Sequence, residues 1–142
     1  MEKTTRAGGW SCFQGAAFYS LRFEDVLDEG AILAFPAKPF ARRIRAGFIL
    51  LQLGIGFGII RGAIDDIRAA DRSLFDSNRY LPDRPELLEN ELSRLKAEVA
   101  RLASTPLDPS SAYSAAVMKL RLQTAELALR AAQSAPLHSG QR

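Results

Sequence analysis

Two apolar stripes with the same spacing occupy the second half of the chain and constrain its fold more than any other feature. In each stripe the residues recur at alternating steps of four and three, which places their side chains on one face of an α-helix. A proline-containing break at residues 105–110 separates them, so the stripes predict an antiparallel helical hairpin. Pro85 suits the first turn of the second helix, and Ser110 or Ser111 suits the N-cap of the third. The stripes are Leu88, Leu92, Leu95, Val99 and Leu102, then Tyr113, Val117, Leu120, Thr124, Leu127 and Ala131.

An apolar segment upstream supplies the surface that the hairpin needs to close its core. We predict a first helix from about Ala41 to Leu74, giving three long helices in all. Residues 46–60 carry no charge and are apolar on all sides, which predicts burial by several neighbours. This stretch of 15 residues is shorter than the roughly 17–25 of a membrane-spanning helix, and it contains Gln52. A buried helix is therefore favoured, with a membrane-associated helix as the weaker alternative.

The N-terminal quarter has a different pattern. Residues 1–11 are polar and glycine-rich and are expected to be frayed. Residues 19–24 alternate apolar and polar side chains, which predicts a strand, and one or two short strands are expected before residue 34. An isolated pair of strands is marginally stable in water, so these strands need a covering partner. A linker with Pro36 and Pro39 is expected at residues 34–40.

Length and composition limit the classes of protein to which this chain can belong. The chain has 142 residues, which suits one domain, or one domain with a remnant of another. A net charge of +3, with arginines scattered among acidic residues, does not predict nucleic-acid binding. Cys12 and His138 are the single cysteine and histidine, too few for an internal disulfide or a zinc site. The N-terminus lacks the apolar run of a signal peptide, so the expected location is the cytoplasm.

Several short motifs favour structural roles over chemical ones. The glycines of residues 54–58 do not match the dinucleotide fingerprint, because Ile59 stands where its third glycine would be, so they are expected to be packing glycines. Asp65 and Asp66 point about 100° apart on a helix and suit a solvated helix end better than a metal pair. His138 could act as a base for Ser134 or Ser139, but the tail from residue 136 is expected to be loose.

A basic group opens the first helix. Arg42, Arg43 and Arg45 lie at the positive end of the helix dipole, where cations are mildly unfavourable. A solvated helix start is the favoured interpretation, and binding of a phosphate or an anionic lipid head is the alternative.

Taken in order, several segments resemble the acyl-CoA dehydrogenase family of flavoproteins. Residues 19–26 resemble the end of that family's middle β-domain, although Leu27-Asp28 replaces the usual Val-Pro. Residues 54–64 and 115–131 resemble the first and third helices of its C-terminal domain, and residues 137–140 resemble the start of its glycine-rich loop. The resemblance implies a mainly α chain: three long helices of an up-down bundle preceded by a short β remnant. Residues 1–39 would be the remnant and linker, and residues 40–142 an incomplete C-terminal helical domain.

The resemblance also implies a function and a cofactor. Family members bind FAD between a β-domain and a helical bundle, usually as homotetramers, and oxidise acyl-CoA thioesters; related members are flavin-dependent monooxygenases. Arg72 and Phe75 would correspond to a flavin contact, and Phe48 would stand where some members carry the catalytic base. No catalytic residue or metal ligand is expected in this chain. It would be a fragment, inactive alone, acting as a homo-oligomer or with a second chain. The alternative from another class is a helical module that oligomerises through its leucine stripes without catalysis.

Overall fold

The computed structural model of this chain describes residues 2–5, 19–22, 30 and 36–140, and the chain divides into two compact units, Met1–Phe35 and Pro36–Arg142. In the first unit, strand β1 (Glu2–Thr5) pairs antiparallel with strand β2 (Tyr19–Arg22), with Glu2 opposite Arg22 and Thr5 opposite Tyr19. Strand β2 falls within the predicted strand at residues 19–24. Its partner comes from the segment expected to be frayed, so that expectation was wrong for residues 2–5. The origin of this unit as a β-domain remnant stays a prediction.

The second unit is a bundle of three helices: α1 (Ala37–Asn78), α2 (Pro85–Ala103) and α3 (Ser111–His138). The predicted helical bundle is thereby confirmed. Helix α1 begins four residues before the predicted start at Ala41, because Pro36 takes the N-cap position and Pro39 falls in the first turn. The first turn tolerates proline, since its N–H groups have no intrahelical partner. The linker expected at residues 34–40 was therefore wrong for residues 37–40.

The helical hairpin forms as its stripes predict. Pro85 is the first residue of α2, and the Ser110 hydroxyl accepts a hydrogen bond from the Tyr113 backbone N–H at 3.1 Å, capping α3. The side chains of Leu88, Leu92 and Val117 are buried in the core. Because both stripes face inward, neither leaves an apolar seam on the outside of the hairpin.

Helix α1 closes the core through two clusters. Its N-terminal half packs against the end of α2 and the start of α3, and its C-terminal half packs against the start of α2 and the end of α3. Helix α1 is therefore antiparallel to α2 and parallel to α3, an up-down-up arrangement. Phe57 and Leu95 pack against both clusters and join them. The first cluster contains Ala46, Ile49, Leu50, Leu53, Leu102, Tyr113, Val117 and Leu120; the second contains Ile60, Ala63, Ile64, Ile67, Leu88, Leu92, Leu127, Ala128, Ala131 and Ala135.

The C-terminal end of α3 is ordered where the sequence predicted a loose tail. Helix α3 continues through Pro136 to His138, whose side chain is 0% exposed. The Asn78 side-chain amide donates a 2.8 Å hydrogen bond to the His138 backbone carbonyl, which ties the end of α1 to the end of α3. This contact holds the last turn despite the internal proline, so the expectation for residues 136–140 was wrong.

Candidate interaction surface

The outer side of α1 is apolar and faces solvent. Phe48, Leu51 and Ile55 are 57%, 78% and 71% exposed, although they lie in the uncharged stretch of residues 46–60. The expectation that several neighbours bury this stretch was wrong for its outer side, because only α2 and α3 pack on α1 within the described part of the chain, and both lie on the same side of it. A helix with two neighbours on one side leaves its other side uncovered.

The exposed positions follow a regular repeat. The steps between them are 4, 3, 4, 3 and 4, the 3.5-residue spacing of a coiled-coil seam. We call this set the outer stripe; it consists of Ile44, Phe48, Leu51, Ile55, Gly58 and Gly62. The residues of its N-terminal part are bulky and those of its C-terminal part are glycines, with Ile59, 49% exposed, beside Gly58. The stripe therefore has the periodicity of a helix-packing surface but has no helix packed on it among the described residues.

The glycines of α1 fall into two groups. A Cβ added at Gly47 would lie 3.0 Å from the Pro106 carbonyl oxygen, and one added at Gly56 would lie 2.7 Å from Thr124 Cγ2. Both are packing glycines, which confirms the prediction for Gly56; Gly47 was outside that prediction. A Cβ added at Gly54, Gly58 or Gly62 would meet nothing within 4 Å, so the packing interpretation was wrong for Gly54 and Gly58.

An open groove runs beside the glycine end of the outer stripe. It lies between α1 and α3, and small residues line most of it, among them Gly58, Gly62, Ala70, Ala132 and Pro136. Because most of its lining side chains are small, this groove can accept bulky groups from a partner without displacing the residues that line it.

The two ends of the outer stripe carry opposite charge. Residues 37–64 contain Lys38, the basic group Arg42, Arg43 and Arg45, and Arg61, but no acidic residue. The acidic pair Asp65 and Asp66 follows directly and is exposed, as predicted, although it lies within α1 and not at the helix end. Within the described residues, neither Lys38 nor the basic group forms an ion pair, whereas Asp65 lies 3.6 Å from Arg61.

The other outer surfaces of the bundle carry ion pairs between charged side chains, together with exposed apolar residues such as Leu87, Leu122 and Leu129. Glu89 on α2 forms ion pairs with Arg61 at 3.0 Å and Arg68 at 2.5 Å, which link α2 to α1. Glu98 and Arg101, three residues apart on α2, pair with each other. Glu91 on α2 pairs with Arg130 on α3. The exposed apolar residues of α2 and α3 thus share their surfaces with these ion pairs, whereas the outer stripe contains no charged residue.

A buried polar cluster closes one end of the bundle. Asp71 on α1 accepts a 3.0 Å hydrogen bond from Asn78 and pairs with Arg84 at 2.8 Å. His138 Nε2 lies 3.3 Å from the Pro82 carbonyl; because a carbonyl only accepts, this nitrogen carries the proton of that hydrogen bond. His138 Nδ1 lies 3.5 Å from an Asp71 carboxylate oxygen and makes no hydrogen bond.

The Asp71 carboxylate is the electrostatic centre of this cluster. Burial by itself raises the pKa of Asp71, but the hydrogen bond from Asn78 and the charge of Arg84 outweigh burial and hold that pKa below its ordinary value. The contacts of His138 are made to Asp71 and Pro82, and the Ser139 hydroxyl donates to the Ala135 carbonyl. The cluster therefore joins the helix ends, and His138 takes part in that structural role.

The residues predicted to contact flavin lie near the end of α1. Arg72 and Phe75 are one turn apart and both exposed, and the Arg84 guanidinium carbon lies 5.4 Å from the centre of the Phe75 ring. Phe48, in the position of the family's base, belongs to the outer stripe, about seven helical turns away. Cys12 lies outside the described residues. Sequence reasoning missed the outer stripe as a surface and missed Asp71 as a partner of His138.

Helix α1 also meets the length and composition of a membrane span. Among the described residues it is the one helix that does so, with an 18-residue window of mean hydropathy 1.7, of which 33% is buried. Comparison with protein-family models, with curated proteins and with solved structures finds no match for this chain. The resemblance to the acyl-CoA dehydrogenase family, with its FAD and acyl-CoA ligands, therefore stays a prediction.

Proposed function

We propose that this chain is a helical interaction module whose binding surface is the outer stripe of α1. The observation that carries the proposal is the exposure of Phe48, Leu51 and Ile55 on a face with coiled-coil spacing. Fully burying each of these side chains contributes about 1.5–3 kcal/mol, so a partner helix would gain several such terms at once. Large contiguous apolar patches on soluble chains mark sites of interaction.

The surface differs from the one that the sequence suggested for an interaction module. The leucine stripes of α2 and α3 are used inside the bundle, where Leu88, Leu92 and Leu120 are buried against α1. Association through those stripes would require the hairpin to leave α1. Association through the outer stripe leaves the bundle intact.

Photo-crosslinking in cells tests this proposal. A photoreactive phenylalanine analogue replaces Leu51 in one variant and Leu122, an exposed leucine of α3, in a matched control. We expect the probe at position 51 to give a discrete protein adduct at least several times stronger than the probe at position 122. Equal adducts at both positions, or adducts with lipid alone at position 51, would overturn the proposal.

The flavoenzyme hypothesis makes a separate prediction. It assigns Arg72 and Phe75 to a flavin contact, and the exposed Phe75 ring with Arg84 beside it offers an aromatic face and a cation. FAD titrated into the purified chain would then lose fluorescence on binding, and the double variant Arg72→Ala, Phe75→Ala would bind at least tenfold more weakly. A titration without any change in FAD fluorescence or mobility would remove the support for a flavin site in this chain. The module hypothesis does not depend on the result.

A further inference from the structure

We infer that the occupant of the outer stripe is a second copy of this chain, packed antiparallel through α1. This inference rests on the proposed function and adds the identity and register of the partner. A symmetric pair has an isologous interface, in which residue i contacts residue j and residue j contacts residue i. The outer stripe meets this condition because its large residues lie at one end and its glycines at the other. In an antiparallel pair the large residues of that end therefore face the glycines of the other copy.

The register follows from the spacing of the stripe. When two α1 helices run antiparallel and the symmetry axis crosses them at the level of residue 53 along the helix, Leu51 of each copy lies opposite Ile55 of the other. In the same register Phe48 lies opposite Gly58, and Ile44 lies opposite Gly62. All positions of the outer stripe are matched without a gap, because its steps of 4, 3, 4, 3 and 4 read the same in both directions.

The sizes of the facing residues are complementary. The bulky Ile44 and Phe48 of one copy meet Gly58 and Gly62 of the other, where an added Cβ would find nothing within 4 Å. The open groove between α1 and α3 adjoins these glycines and adds free space beside them. A parallel pair would instead oppose phenylalanine to phenylalanine and glycine to glycine, leaving one end crowded and the other empty.

The charges that flank the outer stripe favour the same orientation. With about 100° between successive residues, Arg43 and Asp65 fall on one flank of the stripe, and Lys38 and Asp66 fall on the other. Antiparallel packing brings like flanks together, so Arg43 of one copy approaches the Arg61–Asp65 ion pair of the other, and Lys38 approaches Asp66. Parallel packing would place the basic starts of both helices side by side.

A lipid surface fits the outer stripe less well than a second copy. A helix that lies in a membrane interface buries bulky apolar side chains along its length. Here Gly58 and Gly62 leave Ile59, 49% exposed, as the one bulky apolar residue in the C-terminal part of this described face, and the acidic Asp66 follows one turn after Gly62. The glycine end is suited to receive side chains rather than to insert them.

Cysteine pairing in the full chain tests the orientation. In a Cys12→Ser background, chains carrying Ile44→Cys are mixed with differently tagged chains carrying Gly62→Cys, and disulfide formation is followed under mild oxidation. We expect mixed dimers to form at least tenfold faster than dimers of either chain alone, because the two copies of residue 44 would lie about 27 Å apart in the antiparallel pair. Faster pairing of Ile44→Cys with itself would overturn the antiparallel register.

A second experiment tests the interface without removing apolar surface. Gly58→Leu adds a side chain where the single copy has open space, so the bundle should keep its helical circular dichroism. Sedimentation should show the wild-type chain at about 31 kDa, twice the 15.6 kDa of one copy, and Gly58→Leu shifted to the single-copy mass. Gly54→Ala, on the rim of the stripe, should remain a dimer.

The possible results separate this inference from the proposed function. A wild-type chain that stays at the single-copy mass while Leu51 crosslinks to a different protein would overturn the dimer and leave the interaction module standing. Binding of the single-copy form to vesicles of phosphatidylcholine and phosphatidylglycerol, strengthened by Gly58→Leu, would overturn both. A dimer that Gly58→Leu does not weaken would place the contact elsewhere on the chain and overturn the register.

Discussion

Gly56 is the position at which the packing of α1 on α3 can be tested most sharply. Replacing an interior helical glycine with alanine favours the helix by up to about 1 kcal/mol. At Gly56 the new Cβ would lie 2.7 Å from Thr124 Cγ2, closer than carbon atoms can pack. Thr124 is 2% exposed, and its hydroxyl donates to the Leu120 carbonyl at 2.9 Å, so its side chain cannot rotate away without losing that hydrogen bond.

The cost of overpacking and the gain in helix propensity together decide whether Gly56→Ala stabilises or destabilises the fold. Overpacking a core costs about 1–3 kcal/mol, which exceeds the gain from helix propensity. We therefore expect Gly56→Ala to lower the free energy of unfolding by about 1 kcal/mol. Gly54→Ala, where the Cβ meets nothing, should raise it by about 0.5–1 kcal/mol. The two alanine variants should thus differ by about 2 kcal/mol.

Urea unfolding at one fixed protein concentration measures these differences, and Thr124→Ser provides the rescue. Serine removes Cγ2 but retains the hydroxyl that bonds Leu120, so the double variant Gly56→Ala, Thr124→Ser should recover most of the loss. The coupling free energy of the double-mutant cycle should be about 1–2 kcal/mol. A coupling below about 0.3 kcal/mol, or a Gly56→Ala variant as stable as Gly54→Ala, would refute the close approach of α1 and α3 at this point.

Two further predictions concern polar contacts. Because the pKa of Asp71 lies below its ordinary value, its carboxylate stabilises the fold above about pH 4, and this contribution is lost as the pH falls through the lower folded pKa. Urea unfolding between pH 2 and 6 should therefore show that the free energy of unfolding falls less with acid in Asp71→Asn than in the wild type. An equal fall of the free energy of unfolding in both proteins would contradict this. Tyr113→Phe removes the 2.9 Å hydrogen bond to the buried Leu102 carbonyl and should lower the free energy of unfolding by about 1–2 kcal/mol; an unchanged urea midpoint would count against it.

The sequence predicts the hairpin well because its helices alternate between an apolar face and a charged face. The stripes of α2 and α3, Pro85 at the start of α2 and the Ser110 cap all appear as expected. The start of α1 could not be placed from Pro36 and Pro39, because proline suits a helical first turn as well as a linker. The exposed face of α1 was missed because apolar residues occupy both of its sides, so the pattern carries no contrast to show which side is buried.

The buried polar cluster could not be predicted from the sequence for a different reason. His138 and Asp71 are separated by most of the bundle in sequence, and no local motif connects them. Their contact depends on α1 running parallel to α3, so that both helices end at the same face of the bundle. The flavin-contact residues Arg72 and Phe75 were placed by resemblance, and the structure shows their exposure without testing that role.

The order of the helices has a consequence for how the protein is made. Helix α1 finds its main partner in α3, and the contact between Asn78 and His138 spans 60 residues. At about 5–20 residues per second, the ribosome needs roughly 3–12 s to synthesise the 60 residues from the end of α1 to His138. During this interval α1 presents apolar side chains on every side, which is the kind of segment that chaperones recognise. Synthesis in the opposite order would have produced the hairpin first and given α1 a surface to join at once.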